Sequence, residues 1–191
     1  LSSNVLKSVR TFFRTDGPIS AVTGGTAATG PFLACAGATG QIRVIDPETG
    51  AQLQSFSHGR AVRALAAGGT HLLSSGLDHR VLDWDPDAGQ LRSELPMGHD
   101  AEVHALATAM HRGVLYALSG SLDGTVQRCP LDDPEASTEL ASGCGQVTGL
   151  AVVPGPEAGT IVVIGSTQGL LQVSMDEPGE VRSIAPYSVQ A

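Results

Sequence analysis

Short apolar runs alternate with polar turns along the whole chain, and no stretch sustains the 3.6-residue apolar period of a helix. Triplets of the form apolar, any residue, small open the strongest runs. They are Ile19-Ser20-Ala21, Val62-Arg63-Ala64, Val103-His104-Ala105, Val147-Thr148-Gly149 and Val189-Gln190-Ala191, with first residues 43, 41, 44 and 42 positions apart. A spacing this regular marks an internal repeat. Each period then carries a second apolar run ending in small residues: PFLACAG at 31-37, HLLSSG at 71-76, VLYALSG at 114-120 and TIVVIG at 160-165. A tight turn follows, then a third run (QIRVID, RVLDWD, TVQRCP, LLQVSM), a polar turn and a weaker fourth run.

Four short antiparallel strands in about 42 residues make up one propeller blade. The expected fold is all-β, with four full blades at about 17-57, 58-97, 98-141 and 142-185. Residues 1-16 and 186-191 read as remnants of flanking blades, SVRTFF at 8-13 as a fourth strand and 189-191 as the start of a first. Insertions at 110-113, 132-138 and 154-159 are expected as loops at the blade edges. Four blades form a segment of a longer propeller, or two chains pair into an eight-bladed ring, or the four close on themselves.

These units resemble the WD-repeat family of β-propellers over nearly the whole chain. The second repeat carries His58, Ser75, Asp78 and Trp84-Asp85; the third keeps Gly98-His99, Ser119 and Asp123, with Cys129-Pro130 in place of Trp-Asp. The first closes on Ile45-Asp46 and the fourth on Ser174-Met175. The resemblance implies a buried hydrogen-bonded set within a blade: His58, Asp78, Ser75 and Trp84, and its partial counterpart His99, Ser119 and Asp123. It also implies partner binding at the rim, through the connection between blades and the turn after the second strand. The candidates are Asp16, Arg60, Asp100, Glu102 and Gln146 from the first, and Leu77, Leu122 and Thr167 from the second.

Composition narrows the function. With 11 Lys and Arg scattered among 19 Asp and Glu, the net charge is -8, which disfavours nucleic acid and anionic membrane as partners. No apolar run reaches the ~20 residues of a membrane helix. The stretch LSSNVLKSVRTFFR has no signal-like apolar core, and Cys35, Cys129 and Cys144 lack metal-type spacing. A reduced, cytoplasmic setting is expected. Phosphate-loop and nucleophile-elbow motifs are missing from the sequence, so neither cofactor nor catalytic residue is assigned.

His58, Ser75 and Asp78 have the residue types of a hydrolytic triad, but the structural set accounts for them. His99, Asp100, Glu102 and His104 look metal-like only as a string, since strand neighbours point to opposite faces. VIDPETGAQLQSF at 44-56 is also similar to units of quinone-cofactor dehydrogenases, whose units need tryptophans between blades; this chain has one. The expectation is a non-catalytic scaffold or sensor arm that binds a protein or peptide, beside further blades of a parent chain or a second copy. The competing expectation is a propeller enzyme, or a metal- or cofactor-binding propeller, that uses the central channel.

Overall fold

The computed structural model describes residues 17-156 and 159-186. The remnant strands expected at 8-13 and 189-191 lie outside the described residues, as does Asp16. Among the described residues, sixteen strands form four antiparallel sheets of four, each a meander in chain order. Blade one is β1 (Ile19–Ala27), β2 (Gly30–Gly37), β3 (Gln41–Ile45) and β4 (Gln52–Ser57). Blade two is β5 (Val62–Gly68), β6 (His71–Gly76), β7 (Val81–Asp85) and β8 (Gln90–Leu95). Blade three is β9 (Val103–His111), β10 (Val114–Ser121), β11 (Val126–Pro130) and β12 (Thr138–Ala141). Blade four is β13 (Val147–Pro154), β14 (Thr160–Ser166), β15 (Gly169–Ser174) and β16 (Arg182–Pro186).

The first strands β1, β5, β9 and β13 pack side by side in that order, which makes them the innermost strands; β13 is not packed on β1. The blades therefore form an open arc. The core lies between blades, in three clusters. Phe32, Ile42 and Phe56 of blade one meet Leu72, Leu82 and Trp84 of blade two. Leu73 and Val81 meet Ala117 and Cys129 of blade three, and Leu118 and Val126 meet Val162, Ile164 and Val173 of blade four.

The recurring triplet has a structural cause. In every blade the register of the first pair slips there, between Ile19 and Ala21, Val62 and Ala64, Val103 and Ala105, and Val147 and Gly149. The middle residue is the extra one of a β-bulge, which re-aims the chain at the strand start. Ser20, Arg63, His104 and Thr148 occupy that place. Close approach there demands a small residue opposite: a Cβ added at Gly76 would lie 2.1 Å from the carbonyl oxygen of Ala61.

Two loop expectations change. The 110-113 insertion extends β9 and β10 into a hairpin whose turn is Arg112-Gly113, both at positive φ (50° and 83°). The 132-138 insertion holds a 3-10 turn, Pro134–Ala136.

Candidate functional site

Two polar assemblies emerge, one inside the blades and one at their rim. The interior one centres on Trp84, whose indole N–H donates to Ser74 Oγ at 2.7 Å. Ser74 Oγ lies 2.8 Å from His58 Nδ1, and His58 Nε2 lies 2.9 Å from Asp78 Oδ1. One donor order satisfies every atom: Trp84 to Ser74, Ser74 to His58 Nδ1, and His58 Nε2–H to Asp78. Burial opposes ionisation of Asp78, yet His58 and Arg80 hold its carboxyl below the usual carboxylate range. Phe56 of blade one stacks on Trp84 at 4.6 Å between ring centroids.

Ser74, not Ser75, is the serine of this set. Strand neighbours face opposite sides, and Ser74 pairs with Leu82 on the side toward blade one. Ser75 faces blade three and donates to the carbonyl of Val103 at 3.1 Å. In blade three His99 is turned the other way: its Nε2 lies 2.7 Å from Ser119 Oγ, and its Nδ1 lies 3.2 Å from Asp123 Oδ2. Burial lowers the His99 pKa despite the opposing charge of Asp123. Cys129 stands at the register position of Trp84, and burial pushes its thiol up to about 11. In blade four the equivalents of Trp84-Asp85 are Val173-Ser174, one residue before the pair read from the sequence.

The rim assembly joins the two kinds of loop expected there. Leu77 N–H donates to Ala61 O at 3.2 Å, Leu122 N–H to Glu102 O at 3.0 Å, and Thr167 N–H to Gln146 O at 3.1 Å. Equivalent bonds thus tie the turn after the second strand to the loop before the first strand in blades two, three and four. Arg60, Asp100, Gln146 and Thr167 are exposed on this frame, and Leu77, Glu102 and Leu122 are half-buried. Asp100 N–H donates to Asp123 Oδ2, so the rim is fastened to the interior set.

Sequence reasoning passed over Arg63. The bulges bring it to 3.8 Å from Glu102, which lies 2.8 Å from His104 Nε2. The signal was the middle position of the triplet. The string His99, Asp100, Glu102, His104 does not converge, because His99 is held inside by Ser119 and Asp123 while Glu102 and His104 pair at the surface. Among the described residues, no three His, Cys, Asp or Glu side chains assemble as metal ligands.

At the opposite rim, Asp87 accepts from the backbone N–H of Ala28 at 2.8 Å and from the hydroxyl of Thr29. Asp176 pairs with Arg112 and His111 of blade three. Turn aspartates thus bolt blade two to one and blade four to three.

No family model matches this chain, and no curated protein does. Solved structures do. The crystal structure of the computationally designed Ika4 protein matches with a TM-score of 0.71 and 23% identity, over 87% of this chain and 99% of that one. That of the computationally designed Ika8 protein matches with a TM-score of 0.69 and 24% identity, over 88% of this chain and 49% of that one. The chain thus spans about half the length of Ika8. At such identities the likeness concerns the fold alone: blades of a β-propeller. No helix among the described residues is long and apolar enough to cross a membrane.

Proposed function

We propose that this chain is a non-catalytic interaction platform of WD-repeat type, docking a protein or peptide on the rim formed by the turns after the second strands. The carrying observation is the set of three equivalent backbone bonds at Leu77, Leu122 and Thr167, which hold the loops on a rigid frame. Preformed loops bind without a large ordering cost. Exposed Arg60, Asp100, Gln146 and Thr167 offer charge and hydrogen bonds of both signs, a surface suited to a polypeptide.

The WD-type reading is supported by the Trp84–Ser74–His58–Asp78 chain and its partial copy in blade three. The same bonds argue against hydrolysis, since the His58 side chain is fully buried and both ring nitrogens are engaged. Three buried, unbridged cysteines fit a reducing compartment such as the cytoplasm. The test is affinity capture from source-cell extract with wild type, Arg60→Glu/Asp100→Lys, and Asp132→Lys on the opposite rim. Partners kept by Asp132→Lys and lost by the double variant support the platform. Equal recovery on all three removes the rim assignment.

A further inference from the structure

Among the described residues no other blade packs on the outer sides of blades one and four, and these sides are complementary halves of an interface the chain repeats internally. In each contact between blades, two residues from the second and third strands of one blade meet two from the same strands of the next. Ala34 and Ile42 of blade one meet Leu72 and Trp84. Leu73 and Val81 of blade two meet Ala117 and Cys129. Leu118 and Val126 of blade three meet Val162 and Val173.

Strand register extends this series to both ends. In blade four, Val163 and Leu170 stand where Leu73 and Val81 stand in blade two. In blade one, exposed Leu33 and buried Ile45 stand where Ala117 and Cys129 stand in blade three. The last blade carries the donor half of the interface and the first blade the acceptor half.

Exposure follows the same division. Val22 (70%), Leu33 (41%), Leu53 (45%) and Ile19 (48%) belong to blade one; Val153 (39%), Leu170 (40%) and Ile184 (49%) belong to blade four. Only Leu91 and Met110 are large, exposed apolar residues elsewhere among the described residues. Clustered exposed apolar surface marks an interaction site.

We propose that two copies of this chain close into one eight-bladed ring, blade four of each packing on blade one of the other. A second copy supplies both missing halves at once, and the two-fold operation closes without free ends. The fold match to Ika8, at a TM-score of 0.69, takes up 49% of a chain about twice this length. This pairing uses the ends of the arc and is independent of the rim reading.

Sedimentation velocity on the whole chain at about 100 µM, far above the dissociation constant of a stable dimer, tests it. The expected species has twice the 19.5 kDa of one chain. Leu33→Asp and Leu170→Asp, each on a different face, both convert it to monomer, whereas Leu91→Asp on blade two leaves it dimeric. Circular dichroism and Trp84 emission check that each variant is folded; Leu33→Gln and Leu170→Gln replace any that is not. A wild-type monomer overturns the proposal, as does an open series of larger species. Loss of the dimer in only one of the two end-face variants overturns it as well, because that marks a like-to-like contact.

Discussion

Trp84 and His58 share one hydroxyl: Ser74 Oγ lies 2.7 Å from the indole nitrogen and 2.8 Å from His58 Nδ1. Ser74 is fully buried, so removing its oxygen strands a donor and an acceptor where water cannot replace it. Ser74→Ala should cost about 1–3 kcal/mol, the penalty of an unsatisfied buried polar group. Ser75→Ala loses one bond to Val103 O and should cost about 1 kcal/mol. Urea unfolding of the two variants checks the order.

Trp84 also carries the contact between blades one and two, through its stack on Phe56. Trp84→Ala should cost about 3–5 kcal/mol, as for other large buried aromatics. Phe56→Leu should leave the hydrogen-bonded set intact and shift the Trp84 emission.

Acid should weaken the fold in two windows. His99 has a folded pKa below its ordinary value, chiefly through burial. Its stabilising contribution is therefore full above about pH 6.5, the unfolded value, and is lost as the pH falls through the folded pKa. Asp78 and Asp123 are also depressed, against the effect of burial, so their contribution is present above about pH 4 and is lost below it. Unfolding midpoints should fall between pH 7.5 and 5.5 and again toward pH 3. His99→Gln should flatten the first step alone.

His79 occupies the left-handed region at φ 65°, at the turn position where blades one and three carry Gly40 (76°) and Gly124 (88°). His79→Gly should therefore stabilise by up to about 1 kcal/mol, set by the relief of left-handed strain against added chain entropy. Thermal unfolding measures it.

The three thiols should be silent in the native protein. All are buried, and burial raises each pKa, for Cys129 to about 11. A thiol reagent should titrate none of them at neutral pH and all three in denaturant.

Much of the fold was legible because the bulge writes itself into the sequence: an apolar residue, an extra one, then a small one, repeated at a nearly constant spacing. The blade strands follow from that. What failed was register within a run. HLLSSG offers two adjacent serines, and only the pairing of Val62 with Gly76 decides that Ser74 faces Trp84. Ser174-Met175 slipped by one residue for the same reason: LLQVSM carries no tryptophan to anchor it. Contacts between blades were not legible either. Asp87 with Thr29, Asp176 with Arg112 and Arg63 with Glu102 join residues from separate repeats, and no local pattern records them.

The central claim is that the His–Ser–Asp–Trp chemistry is spent inside the blades while the rim carries the function. One binding measurement separates these. A partner captured by the wild type should bind Ser74→Ala with unchanged affinity once the variant is shown to be folded, and Arg60→Glu/Asp100→Lys at least about tenfold more weakly, a loss of about 1.4 kcal/mol. Binding abolished by Ser74→Ala and indifferent to the rim substitutions would contradict it.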